Sequence, residues 1–207
     1  MRGICRTGWP MICALSLGPI VPVACLAADE HAEPQNAVVL DNNLANGNTG
    51  RLAVNLAAGN HNQQASSTLI ALGQAAIVQG AIAQHSASTA YEDSANLVVI
   101  GPGAFAGISG LASINLTAGT QNQSANQATL AIGQSGALSD QLLQQTRAPI
   151  EPSGSVAQTQ ADPNDTVVIG ENAFGGGTGL FQGNLIGGER NSSANTFSLT
   201  VAVGGQP

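Results

Sequence analysis

The sequence contains no lysine, and its five arginines face twelve acidic residues. Charged residues make up 8% of the chain and aromatics 3%, where an average soluble domain carries roughly a quarter charged residues. So little basic charge excludes nucleic acid and anionic lipid as partners, because both are held by basic surface. So few aromatics exclude a core built on large rings, and burial must rest on Ala, Val, Ile and Leu. All three cysteines, Cys5, Cys13 and Cys25, lie in the first 25 residues, so nothing beyond them can form a disulfide framework. Long hydrophobic runs are also missing. The stretch from Met11 to Val23 is short and broken by Pro19 and Pro22, which argues against a transmembrane helix.

That N-terminal stretch fits a secretory signal instead. Arg2 and Arg6 precede it, and Ala24-Cys-Leu-Ala27 offers a small-residue cleavage site, as the export machinery requires. Cleavage after Ala27 removes every cysteine and leaves Arg51, Arg147 and Arg190 against the twelve acids. The expected mature chain is secreted, acidic and free of thiols.

What the sequence has in abundance is Gly, Ala, Asn, Gln and Ser, arranged in an internal repeat. Residues 50–72, 110–132 and 179–201 align without a gap. Asn55, Asn115 and Asn184 coincide, each followed by a leucine. Gly59, Gly119 and Gly188 coincide next, then Asn62, Asn122 and Asn191, then Ala65, Ala125 and Ala194. At one fixed distance before each copy stands an apolar triplet, 38–40, 98–100 and 167–169. Repeats of this length are single supersecondary units that bury their apolar faces only by stacking.

Each copy reads as three short strands and two turns. In copy one the triplet is closed by Asp41-Asn-Asn43, and Asn46-Gly-Asn-Thr-Gly50 supplies a second turn, using residues that tolerate positive φ. Residues 52–57 alternate with period two, placing Leu52, Val54 and Leu56 on one face and Asn55 on the other. The third strand covers 68–72. The expected fold is all-β, a stacked β-solenoid or Greek-key-like set of repeats with partly disordered spacers. Its divisions are a signal peptide (1–27), a disordered N-terminal segment (28–37), repeat 1 (38–73), a spacer (74–96), repeat 2 (97–133), a disordered spacer (134–165) and repeat 3 (166–207). Ala75 to Ala83 fits either a continuation of the strand or a frayed helix, and Ser139 to Gln145 fits a capped helical turn.

Stacked like on like, each repeat asparagine sits about 4.8 Å from its counterpart, where side-chain amides can bond along the stack. Asn55, Asn115 and Asn184, with Asn62, Asn122 and Asn191, are therefore the expected ladder residues, and Gly59, Gly119 and Gly188 the turn glycines. A solvated polar face is the plainer alternative for the asparagines. Other constellations fail on their own terms. Gly101 and Gly103 follow a strand, but no acid stands where a dinucleotide ribose would need one. Gly175 to Gly179 lacks the aspartates of a calcium site. His31, His61 and His85 do not recur between copies, so no metal, cofactor or catalytic site is expected.

The motif Asn-Leu-x-x-Gly-x-x-Asn-x-x-Ala, at 55–65, 115–125 and 184–194, with two dissimilar spacers behind a signal, resembles the Fap-type functional-amyloid subunits of bacterial biofilms. The resemblance implies export through an outer-membrane channel and assembly, with related subunits, into extracellular cross-β fibres on the cell surface. Main subunits of that family end in Cys-x-x-Cys, which is absent here, so the resemblance points to a minor, nucleating or divergent subunit. A monomeric surface adhesin is the second reading. It would need an aromatic or charged patch peculiar to one copy, for which Tyr91 and the copy-three phenylalanines Phe174, Phe181 and Phe197 are the candidates.

Overall fold

The computed structural model describes residues 35–87, 94–149 and 165–203. Tyr91, the signal segment and most of the disordered segments expected from the sequence lie outside these residues. The described chain holds nine strands in three rungs: β1 (Asn36–Leu40), β2 (Thr49–Ala58) and β3 (Gln63–Ser86); β4 (Asn96–Ile100), β5 (Ser109–Ala118) and β6 (Gln123–Arg147); β7 (Thr166–Ile169), β8 (Thr178–Gly187) and β9 (Ser192–Ala202). Equivalent strands pair vertically into three sheets, ordered β1-β4-β7, β2-β5-β8 and β3-β6-β9. Every ladder among them is parallel, and the repeat positions pair in register, with Asn55, Asn115 and Asn184 level with one another. The fold is a stacked β-solenoid, with the second repeat in the middle.

The alternation of the sequence decides which way each strand faces. Val38, Leu40, Val98 and Ile100 point inward and are buried, while Val39 between them is 59% exposed. Ala112, Ile114, Leu116 and Ala118 of β5 meet them from the second sheet, and Ala104, Phe105 and Ile108 close the core at the turn. Phe105 stacks on Phe174 of the next rung, ring centroids 5.5 Å apart, and Phe174 meets Phe181 at 4.8 Å. Of the three phenylalanines considered for an adhesive patch, Phe174 thus stacks vertically on rung two, and Phe181 packs against it within rung three while remaining 46% exposed.

The strands extend further than the repeats. Where the sequence suggested spacers from 74 and 134, with a possible helical turn at 139–145, β3 runs to Ser86 and β6 to Arg147. The ladder between them shifts register at Gly73/Ala75 and then continues from Ala75↔Gly136 to Ser86↔Arg147. Beyond the shift each strand doubles back on its own first half. Gln63 Nε2 donates to His85 O at 2.7 Å, and Gln123 Nε2 donates to Thr146 O at 3.0 Å. Ala76, Val78 and Ile82 are buried by this return, so strand pairing wins over helix because it gives these side chains a surface to cover. Rungs one and two therefore have four layers. Rung three, among the described residues, has three.

Candidate functional site

The polar interior lies between the second and third sheets, where one face of β2, β5 and β8 meets β3, β6 and β9. Asn115 is fully buried there. Its Nδ2 donates to Asn55 Oδ1 at 2.7 Å, to Ala65 O at 3.0 Å and to Ser66 Oγ at 3.1 Å. Its Oδ1 accepts from Asn184 Nδ2 at 2.8 Å and Asn126 Nδ2 at 2.9 Å. In this column each later rung donates to the earlier one.

Asn62, Asn122 and Asn191 form a column of another kind. Asn62 Nδ2 donates to Gly119 O at 2.8 Å, and Asn122 Nδ2 donates to Gly188 O at 2.7 Å. The Asn122 backbone N–H donates to Asn62 Oδ1 at 3.0 Å, and that of Asn191 to Asn122 Oδ1 at 2.7 Å. These side chains clip the backbone of the next turn rather than the next amide. A clip of this kind demands a bare turn. Gly59, Gly119 and Gly188 all have positive φ, and a Cβ on Gly119 would stand 1.9 Å from Gly188 O. The residue two places on is also left-handed in each rung, at His61, Gln121 and Arg190, which fixes one turn geometry three times over.

Two further columns were missed in the sequence. Asn195 Nδ2 donates to Asn126 Oδ1 at 2.9 Å and to Asn184 Oδ1 at 3.0 Å, so a second asparagine column interlocks with the first. Its signal was the coincidence of Asn126 with Asn195, hidden by Ser66 in copy one. The other column precedes the triplets. Asn36 Nδ2 donates to Asn96 Oδ1 at 2.9 Å, and Asn96 Nδ2 donates to Asp165 Oδ1 at 2.7 Å and Glu189 Oε1 at 2.8 Å.

None of this arrangement resembles chemistry on a substrate. The amides bond one another and the backbone, and among the described residues no group of three or more His, Cys, Asp or Glu could hold a metal ion. An apolar groove of about 360 Å³ runs past Leu111, Leu180, Ile70, Leu130 and Leu199, and its walls are stacked columns of the same repeat. The hydrogen bonds of these columns join each rung to the next. No solved structure matches the chain. A family model described as the functional amyloid protein FapB/FapC family matches residues 24–202.

Proposed function

The chain belongs to the FapB/FapC functional amyloid family, and on that premise we propose that it is a secreted subunit whose rungs stack end to end into cross-β fibres at the cell surface or in the biofilm matrix. The family is one of structural subunits rather than enzymes, and functional-amyloid membership implies self-association and an extracellular fibre.

The observation that carries the reading is the contrast between the middle rung and the outer ones. Leu116 is fully buried, whereas Leu56, in the same column of rung one, is 40% exposed. Val167, Val168 and Ile169 of rung three are likewise exposed where Val98 and Ile100 are buried. Placing rung one of a second copy on rung three continues the columns with complementary groups. Asn184 Oδ1 then receives the Asn55 amide, and Asn191 Nδ2 reaches Gly59 O. Exposed strand edges of this kind recruit further chains.

Export through an outer-membrane channel, with cleavage after Ala27, brings the chain to that site. N-terminal sequencing of the exported protein should begin at Ala28, and a lipidated Cys25 would make it a membrane-anchored lipoprotein instead. A minor or nucleating role is part of this reading. A few per cent of this chain should shorten the lag of a main family subunit, as followed by thioflavin fluorescence. An unchanged lag would remove the nucleating role. A chain that stays monomeric under every condition would restore the adhesin reading.

A further inference from the structure

Among the described residues, the third rung carries an uncovered face and the second rung an uncovered edge beside it. In rung two, Gln123, Ala125, Gln127, Thr129 and Ala131 of β6 are buried beneath the returning halves of β3 and β6. Their counterparts on β9 are Ser192, Ala194, Thr196, Ser198 and Thr200, and all five are exposed. Beside this face runs the free edge of residues 136–147. Ala148 N–H donates to Ser86 O, and alternation along a parallel strand turns the N–H groups of Ser139, Leu143 and Gln145 the other way, toward rung three, while that of Gln141 donates to Asp140 Oδ1 at 2.9 Å. Two floor residues are tied upward to the wall, Ser198 Oγ donating to Ser139 Oγ and Ser192 Oγ to Gln145 Oε1, each at 2.8 Å. The vacancy below these ties is one strand high, about 4.8 Å, with a floor, a hydrogen-bonding wall and a defined direction.

We propose that this vacancy is a strand-addition site for an extended segment of about ten residues from a second chain, running parallel to 136–147 and carrying a carboxylate at its C-terminal end. The ladder of residues 75–86 with 136–147 already shows what such a segment looks like: small or apolar side chains at alternate positions facing in, as Ala76, Val78 and Ile82 do. Backbone hydrogen bonds along an exposed edge give affinity, and pockets for alternate side chains give specificity.

The carboxylate follows from the end wall. Arg147 reaches down from the wall across rung three, donating to Asn191 O at 2.9 Å, to Gln121 O at 3.3 Å and to Arg190 O. Its Nε is buried without a hydrogen-bond partner. Burial, and then the nearby Arg190 charge, lower the Arg147 pKa, the direction that desolvation and a like charge each give a cation. A parallel segment brings its C-terminus to this guanidinium.

The site belongs to the single molecule and does not depend on polymerisation. It is tested by fluorescence anisotropy, adding the N-terminally labelled peptide of residues 75–86 to the monomeric full-length chain. The peptide with a free C-terminal carboxylate should bind saturably, and a scrambled peptide should not. Thr196→Lys places a charge on an exposed floor position, so it leaves the circular dichroism spectrum unchanged and should weaken binding at least tenfold. Ser198→Lys should repeat that loss from a second position. Amidating the peptide C-terminus should weaken binding several-fold in the wild-type chain and make no difference in Arg147→Gln. No binding to the wild-type chain, equal binding of the scrambled peptide, or full-strength binding to both lysine variants would each overturn the proposal. In the last case the peptide is pairing elsewhere, such as at the outer edge of β3. Fibre formation is read separately, so failure here leaves the assembly reading standing.

Discussion

Asn115 and Gly119, four residues apart, show how different residues serve the same stacking. The Asn115 side chain takes part in five hydrogen bonds, four of them to the neighbouring rungs and one to Asn126 of its own. Truncation to alanine takes one partner from the exposed Asn55 and one each from the buried Asn126 and Asn184, whose amides keep other acceptors, so the cost lies at the lower end of about 1–3 kcal/mol. Asn115→Ala should therefore lower the urea midpoint of the chain and slow thioflavin-monitored assembly. Gln144→Ala, on the exposed outer side of β6, should change neither. Gly119 acts by having no side chain. Its φ of +123° is strained for any other residue, and an added Cβ would stand 1.9 Å from Gly188 O. Gly119→Ala combines backbone strain of about 1–3 kcal/mol with a clash that only separation of the rungs relieves. Gly176→Ala meets nothing within 4 Å and carries the strain alone. Denaturation of the two variants side by side should find Gly119→Ala distinctly the worse, and equal midpoints would mean that the turns are not held in contact.

The elements differ in how far the sequence disclosed them. The triplets and central strands were legible because period-two alternation and a gapless register both pointed to them, and Leu52, Val54 and Leu56 take the side opposite Asn55 as their spacing requires. The returning halves of β3 and β6 were not legible. Ala76, Val78 and Ile82 alternate, but Ile77 and Ala81 between them are apolar as well, which blurs the period. The likeness of Ile77 to Leu138, Ile82 to Leu143 and Gln84 to Gln145 appears only after the register shift at Gly73/Ala75, so a gapless comparison passes over it. The Asn55, Asn115 and Asn184 column was readable from recurrence, whereas the Asn126–Asn195 column was masked by one serine. The ladder also tests the connections. From Ser86 to Asn96 the chain uses nine residues, 87–95, and between the paired positions Arg147 and Asp165 it uses seventeen, 148–164. Nine residues already span this step once. Deleting the eight residues from Gly154 to Ala161 should leave the circular dichroism spectrum and the assembly rate unchanged. Loss of assembly on that deletion would give the second connection a structural part of its own.

At the scale of the whole molecule the described residues form a short stack whose middle layer is complete and whose outer layers are not. The columns through Leu116 and Ile100 are covered in rung two and exposed at Leu56 in rung one and at Ile169 in rung three, and the described residues place no charged belt or proline-rich edge across either end. Such a unit gains burial by adding another copy, and the in-register columns dictate where that copy sits. X-ray diffraction from aligned fibres of the mature chain tests this most directly. Rung-on-rung stacking predicts a meridional reflection at about 4.8 Å, with a weaker axial period of about 14 Å from the three dissimilar rungs of each molecule. Fibres lacking the 4.8 Å meridional reflection, or a chain that forms none, would contradict the account.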